Sequence, residues 1–183
     1  MSITKTKFKG LYLFDPRVFR DERGYFFESY SEKIWKEAGV KMKFVQDNES
    51  KSQYGTLRGL HYQLPEYGQD KLVRVTKGKV LDIVVDIRPD EPTYGESFSV
   101  VLSNTNKRQM LVPQGFAHGF VTLSKEAVFN YKCTNFYSKE SEGHIHPLDK
   151  ALKLDWQIPK KDILLSDKDK AGPAFGKHRR WVR

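Results

Sequence analysis

The chain has almost no cysteine and no long apolar stretch. Cys133 is the only cysteine among 183 residues, which excludes an internal disulfide framework and a thiolate metal cluster within one chain. A lone cysteine in an apolar strand more often packs than reacts. The longest apolar runs span a few residues, and the N-terminal MSITKTKFKG lacks the apolar region of a signal peptide. We expect neither a membrane partner nor export, and we predict a cytoplasmic location.

The sequence also lacks a concentrated patch of positive charge, although its net charge is +9. Lys and Arg are scattered and interleaved with 23 acidic residues, apart from the short tail KHRR at 177–180. We interpret this tail as a solvated terminus. Nucleic acid is therefore a disfavoured partner, whereas the charge balance suits a small anionic substrate such as a diphosphate.

The pattern of apolar residues predicts a mainly β protein. In VLDIVVDIR (80–88), Leu81, Ile83 and Val85 alternate with polar residues, which is typical of a strand, and Val84 interrupts the alternation. Similar segments, separated by turn-forming residues, are 25–30, 72–78, 97–103, 108–113, 120–124 and 127–137. Many short strands with turns between them indicate a sandwich or barrel. No repeat or linker is visible, so we predict one domain over 1–183.

Helical structure is predicted to be short and peripheral. SEKIWKEAGV (31–40) favours one helix, with Ser31 able to cap it and Gly39 able to end it. From about residue 147 the strand pattern weakens and Pro, Lys and Asp become more frequent. We expect loops and short helices there, lying against the β core.

Two segments resemble the paired motifs of cupins, small barrels that often hold a metal on three histidines and a glutamate. The first, 59–78, keeps His61, but Gln63 and Lys71 occupy the positions of a second histidine and the glutamate. The second, PQGFAH (113–118), keeps His118. Two histidines and a lysine cannot supply the usual ligands, and an ammonium repels a divalent cation. We therefore predict a cupin-like, jelly-roll barrel with no metal.

Histidine and lysine in a barrel lumen suit proton removal beside a carbonyl. Histidine can act as the base near neutral pH, and a nearby cation stabilises the developing enolate. Inversion of a carbon also needs an acid on the opposite face. If 127–137 is one strand, Tyr131, Cys133 and Tyr137 share a face, so one phenol could donate a proton while the other stacks on a ring.

The chain resembles the dTDP-4-dehydrorhamnose 3,5-epimerase family over most of its length. The strings that carry the resemblance are DERGYFFESY, FVQDNES, LRGLHYQ, KLVRVTKG, VDIRPDEPTYG, VPQGFAHGF, NYKCTNFY and LSDKD, in the family's order and approximate spacing. The resemblance implies a cupin-like double-stranded β-helix with no metal or other cofactor. It also implies a homodimer that acts on a 4-keto-6-deoxy sugar attached to dTDP.

Roles for individual residues follow from the resemblance. His61 matches the proton acceptor, Asp169 its carboxylate partner and Tyr131 the proton donor, while Tyr137 matches the aromatic that stacks on thymine. Lys71 and Arg58 match cations near the keto oxygen and the diphosphate, where Arg can bind phosphate oxygens in a bidentate manner. Further substrate or nucleotide contacts are matched by Arg23, Glu28, Gln46, Asp47, Asn48, His118, Glu142 and Lys168.

Simpler interpretations exist for several of these residues. Arg23 and Glu28 could form a surface ion pair, residues 46–48 could form a turn, and His118 could be a hydrogen-bonded core histidine. Arg58 and His61 lie three residues apart, so a regular strand would direct them to opposite faces. A bulge or kink at Gly59 would bring them to one face.

One segment departs from the family's pattern and keeps rival functions open. EGHIHPLDK (142–150) has Pro147 near the position of the usual tryptophan, and its His144 and His146 are a weak match to a metal pair. The leading hypothesis is 3,5-epimerisation for dTDP-L-rhamnose and surface polysaccharide synthesis. The alternatives are epimerisation at C3 or C5 alone, a different nucleotide sugar, a non-catalytic nucleotide-sugar-binding cupin, and a metal-dependent cupin oxygenase.

Overall fold

A computed structural model describes residues 2–182 as a β structure with short helices at its periphery. The strands are β1 (Ser2–Lys5), β2 (Tyr12–Asp15), β3 (Phe19–Asp21), β4 (Gly24–Phe26), β5 (Gln46–Gln53), β6 (Leu57–Gln63), β7 (Lys71–Lys77), β8 (Lys79–Asp86), β9 (Ser97–Ser103), β10 (Gln109–Val112), β11 (Phe116–Thr122), β12 (Glu126–Cys133) and β13 (Glu142–His144). The helices are α1 (Glu32–Glu37), α2 (Asp167–Lys170) and three 3₁₀ turns at Pro65–Tyr67, Lys150–Leu152 and Lys160–Asp162.

The strands form two antiparallel sheets that face one another. The six-stranded sheet has the order β1-β2-β10-β7-β12-β5, and the five-stranded sheet has the order β13-β6-β11-β8-β9. Strands β3 and β4 form a separate hairpin. Apart from β1–β2 and β8–β9, neighbouring strands in each sheet are not consecutive in the chain, as in a jelly roll. The predicted cupin-like double-stranded β-helix is confirmed.

The main core lies between the two sheets. It includes Val73 from the six-stranded sheet and Val84 and Leu102 from the five-stranded sheet, all essentially inaccessible to water. Phe120 of β11 and Phe129 of β12 stack across the gap with ring centroids 4.2 Å apart and planes at 13°. This aromatic pair holds the two walls of the barrel together and borders the cavity described below.

Most predicted strands are present, but the strands in 25–30 and 127–137 end three or more residues before the pattern indicated. Only Tyr25 and Phe26 of the segment 25–30 lie in a strand, and β12 ends at Cys133 rather than continuing to Tyr137. The shared-face argument for Tyr137 was therefore wrong, since that residue lies on the loop after the strand. The alternation predicted for β8 is correct, yet its polar face is also buried because it points into the barrel.

The predicted helix is shorter than 31–40 and lacks the expected cap. Helix α1 covers Glu32–Glu37, and the Ser31 side chain makes no capping hydrogen bond. Gly39 ends the helix as predicted, with φ +81° and its N–H donating to the Lys36 carbonyl. The helix buries Trp35 against Phe14 and Leu111 on the outer face of the six-stranded sheet. None of the helices in residues 2–182 is long and apolar enough to cross a membrane.

The C-terminal segment covers the outer face of the five-stranded sheet. Trp156 and Trp181 pack with Leu81, Ile83 and Val85 in a second core. The loops and short helices expected after about residue 147 are confirmed. The interpretation of residues 177–180 as a solvated tail holds for Lys177, Arg179 and Arg180, which are exposed, but not for His178, which is only 6% exposed.

Candidate active site

A cavity of about 440 Å³ opens between the two sheets and collects most of the predicted site residues. His61, Arg58 and His118 line it from the five-stranded sheet, and Tyr131 and Lys71 line it from the six-stranded sheet. Further lining residues are Asn48, Lys168 and Asp169. Residues from six elements of the chain, five strands and α2, thus meet in one place.

His61 and Asp169 form a closely bonded pair at the cavity wall. His61 Nε2 lies 2.6 Å from Asp169 Oδ1, and the Asp169 side chain is almost fully buried. The Ser166 hydroxyl caps α2 and donates to Asp169 Oδ2 at 2.8 Å. Burial raises the pKa of Asp169, but the bond and charge of His61, together with Ser166 and Lys168, outweigh it and hold that pKa below its ordinary range. The carboxylate is therefore anionic and fixes one imidazole nitrogen.

An irregularity in β6 brings Arg58 and His61 to the same cavity. The register between β6 and β11 shifts between His118 and Phe120, opposite Gly59, which adopts φ +136°. A Cβ at Gly59 would lie 2.5 Å from the Gly119 backbone, so only glycine fits here. The kink expected from the three-residue spacing is confirmed, and it is local to Gly59.

The opposite wall carries a phenol and an ammonium side by side. Lys71 Nζ lies 5.8 Å from the centre of the Tyr131 ring. Burial is the main cause that raises the pKa of Tyr131 and the main cause that lowers the pKa of Lys71. Cys133 faces the same region, fully buried, and accepts a long hydrogen bond from Asn48 Nδ2 at 3.6 Å. On this wall, the Tyr131 phenol can donate a proton, and the Lys71 ammonium supplies a positive charge beside it.

A second histidine–aspartate pair lies beside the first. His118 is the register partner of His61 on β11, and its Nε2 lies 2.7 Å from Asp82 Oδ1. Asp82 is fully buried on the inward face of β8. His118 is thus both a hydrogen-bonded core histidine and a cavity residue. Sequence reasoning missed Asp82 and Ser166; the signal for Asp82 was an acidic residue within an otherwise apolar strand.

A neighbouring cavity of about 270 Å³ continues the first one towards the loop after β12. It shares Asn48, His61, Lys71 and Tyr131 with the first cavity and adds Gln46, Tyr137 and Glu142. Glu142 accepts a hydrogen bond from the Tyr137 hydroxyl at 3.2 Å and from Lys168 Nζ at 2.5 Å. Burial raises the pKa of Glu142, but Lys168 and His61 outweigh it and the net shift is downward.

Three predicted site residues line neither cavity. Asp47 alternates with Gln46 and Asn48 along β5 and points outward, where its exposed carboxylate pairs with Lys132. Residues 46–48 thus belong to a strand rather than a turn. Arg23 and Glu28 lie in and just after the β3–β4 hairpin, and Arg23 pairs with Asp21 rather than with Glu28.

The segment that departs from the family's pattern lies outside both cavities beyond Glu142. Ile145 packs in the second core, and the Pro147 carbonyl accepts a hydrogen bond from Trp156 Nε1 at 3.0 Å. His146 Nδ1 accepts the backbone N–H of Leu148. Within residues 2–182 no group of three His, Cys, Asp or Glu side chains could hold a metal ion.

The family assignment follows from a match over nearly the whole chain. A sequence model described as dTDP-4-dehydrorhamnose 3,5-epimerase matches residues 5–177. The chain belongs to this family. A dTDP-4-dehydrorhamnose 3,5-epimerase of Shigella flexneri is 52% identical over 176 residues, covering 96% of both chains.

Solved structures similar to this chain include enzymes with two different epimerase activities. A dTDP-6-deoxy-D-glucose-3,5-epimerase from Legionella pneumophila, in complex with dTDP-4-keto-L-rhamnose, is 45% identical with a TM-score of 0.92, covering 100% of this chain and 99% of that one. A 3'-monoepimerase from Streptomyces bikiniensis has a TM-score of 0.87 but is 29% identical, covering 93% and 86%. The fold is shared by both activities, and the sequence is closer to the 3,5-epimerases.

Proposed function

We propose that the protein is an isomerase that epimerises dTDP-4-dehydro-6-deoxy-D-glucose at C3 and C5 to give dTDP-4-dehydro-L-rhamnose. This product is a precursor for dTDP-L-rhamnose and for surface polysaccharide. The observation that carries the proposal is that His61 and Tyr131 line one cavity from opposite sheets. A sugar ring between the sheets would present one face to a base and the other to an acid, as inversion requires.

His61 removes a proton from the carbon beside the C4 ketone. The Asp169 carboxylate holds one nitrogen of the imidazole, which leaves the other free to accept the proton. Asp169 also stabilises the imidazolium that forms. The ketone is the electron sink, so this chemistry needs no nicotinamide, flavin or metal.

Lys71 stabilises the enolate, and Tyr131 returns a proton to the opposite face. An ammonium in a partly dehydrated cavity interacts strongly with a developing oxyanion. The phenol keeps its proton in this environment because burial raises its pKa. Inversion at both carbons requires the sugar to present C3 and C5 in turn to the same pair, through a ring flip.

The nucleotide occupies the neighbouring cavity in this proposal. Tyr137 stacks on thymine, and Gln46, Asn48 and Glu142 supply polar contacts around it. Arg58 and Lys168 lie at the first cavity, where they can bind the diphosphate. His118 contacts the sugar end from the same wall as His61.

Proton exchange in deuterated water tests the proposal. Purified protein, with no metal or cofactor added, is mixed with dTDP-4-keto-6-deoxyglucose in D₂O and followed by proton NMR. Deuterium at both C3 and C5 supports the 3,5-epimerase, and deuterium at one carbon identifies a mono-epimerase. Tight dTDP binding without exchange would instead indicate a non-catalytic binding protein.

The alkaline limit of activity should report Lys71. Burial lowers the pKa of Lys71 from 10.5, so the ammonium loses its proton at a lower pH than an exposed lysine, and enolate stabilisation is lost as pH rises. Tyr131 shifts the other way, upward from 10.0. As pH rises, we expect kcat/KM to begin to fall at a pH lower than 10.5. Lys71→Arg should move this alkaline limb of the pH profile to higher pH. If the alkaline limb of kcat/KM lies at the same pH in Lys71→Arg as in wild type, the limb reports a group other than Lys71.

We also propose that the chain, as one domain over 1–183, acts in the cytoplasm as a homodimer. The β3–β4 hairpin exposes Phe19, Tyr25 and Phe26, and the resemblance assigns Arg23 and Glu28 on this segment to substrate although they line neither cavity here. A second copy that buries the hairpin would bring them to its cavity.

Oligomeric state can be measured directly. Light scattering coupled to gel filtration should give twice the mass of one chain. Phe26→Asp places a charge where Phe26 is 67% exposed, so it should shift the protein towards monomer without unfolding it. A wild-type monomer would contradict the proposal.

A further inference from the structure

The C-terminal segment 178–181 lies beyond the family match, which ends at residue 177, yet it is built into the fold. His178 is buried, stacks on Phe175 at 5.2 Å and meets the Tyr62 ring edge-on at 6.1 Å. Trp181 is buried in the second core. These two anchors lie on either side of Arg179 and Arg180 in the chain.

Arg179 binds the backbone at the start of β13. Its Nη1 donates to the Glu140 carbonyl at 2.6 Å and to the Glu142 carbonyl at 3.0 Å. Its own carbonyl accepts the Tyr62 hydroxyl at 2.5 Å. Because the Arg179 guanidinium binds the carbonyls of Glu140 and Glu142 together, it restrains the backbone from Glu140 to Glu142.

Tyr62 supports the same point from the neighbouring strand. Its ring crosses Gly143, where a Cβ would lie 2.2 Å from Tyr62 Cζ, so this path requires glycine. Burial raises the pKa of Tyr62 far above its ordinary range, so the phenol remains a donor to Arg179. Glu142 is therefore restrained by Arg179 through its own carbonyl and by Tyr62 through the adjacent residue.

We propose that Arg179 is a positioning residue for the nucleotide end of the active site, acting through Glu142. The Glu142 carboxylate joins the Tyr137 hydroxyl and Lys168 Nζ, so its placement sets the positions of two residues assigned above to dTDP. This inference rests on the proposed function. It assigns a role in substrate affinity to a segment outside the family match.

The test separates affinity from turnover. Arg179→Ala leaves two carbonyls without their donor, and we expect KM for the nucleotide sugar and the dissociation constant for dTDP each to rise about tenfold. The value of kcat should stay within about twofold, because His61 and Tyr131 lie on other strands. Arg179→Lys, which keeps a cationic donor, should recover part of the affinity.

Arg180→Ala is the matched control, since Arg180 is adjacent to Arg179 and, like it, exposed, so both substitutions remove the same charge from the same surface. It should match wild type in both constants. A merely structural role for Arg179 would lower the active fraction and the apparent kcat at unchanged KM, and that result would overturn the inference. If Arg179→Ala does not fold, Tyr62→Phe removes only the hydroxyl bonded to Arg179; a rise in KM supports the inference and an unchanged KM overturns it.

Calorimetry with dTDP distinguishes this failure from failure of the proposed function. A wild-type protein that neither binds dTDP nor exchanges substrate protons would refute the proposed function and the inference with it. In the other outcome, the wild-type protein binds dTDP and exchanges substrate protons, and Arg179→Ala and Tyr62→Phe have the same dTDP affinity and KM as wild type. That outcome would refute only the role of Arg179.

Discussion

His61→Ala is expected to lower turnover by about 10²- to 10⁴-fold, the usual cost of removing a general base. The substitution leaves Asp169 buried without the imidazole that bonds to it, and no other base lines the cavity at the same position. Because one base serves both carbons in the proposed mechanism, deuterium entry should be lost at C3 and at C5 together. The measurement is proton NMR in D₂O at saturating substrate.

His144→Ala provides the control for this change. His144 is the register partner of His61 on β13, but it lines neither cavity, so its removal should leave exchange at both carbons unchanged. Loss of exchange at one carbon only in His61→Ala would point to a second base. His118, the register partner of His61 on β11, would then be the candidate. Full activity in His61→Ala would refute the assignment.

The two walls of the cavity divide the chemistry between them. The five-stranded sheet carries two histidines, each bonded to a buried carboxylate, His61 to Asp169 and His118 to Asp82. The six-stranded sheet carries Lys71 and Tyr131. The positive charge of Lys71 beside the phenol favours an oxyanion on that side of the cavity. The fold thereby places the base and the acid on opposite walls of one cavity.

Strand positions could be predicted from local pattern because alternation reflects which face is buried. The pattern could not show that the polar face of β8 is buried too, since the partner of Asp82 there is His118 from β11; Asp86 pairs with Arg88, two residues along the chain. Nor could it locate the end of β12, so Tyr137 was placed on a strand face it does not occupy.

In the candidate site, too, some features could be predicted from the local sequence and others could not. The resemblance gave His61 and Asp169, which are 108 residues apart and could not be paired from spacing. The spacing of Arg58 and His61 did predict an irregularity, because two residues three apart reach one face only through a kink. The run of basic residues at 177–180 correctly predicted exposed Lys and Arg side chains, but it gave no sign that His178 is buried. The His178 ring packs against Phe175 nearby and against Tyr62 on β6, and the latter contact cannot be predicted from the local sequence.

Tyr131→Phe should separate proton exchange from inversion. The variant keeps the ring beside Lys71 but has no proton to donate, so formation of the epimer should fall by about 10²- to 10⁴-fold. His61 can still remove a proton, exchange it with solvent and return it to the same face, while Lys71 holds the enolate. Deuterium should therefore enter the substrate with retained configuration, faster than epimer appears.

Proton NMR follows the rates of exchange and of inversion in one sample. Exchange removes the substrate's proton signal as deuterium enters, and inversion gives the new signals of the epimer. Tyr54→Phe is the matched control, because Tyr54 is exposed and its hydroxyl bonds to Asp162 away from both cavities. An equal fall in exchange and inversion for Tyr131→Phe would make the phenol part of proton removal. Exchange with retention would instead place the acid on the face opposite His61, as two walls from two sheets require.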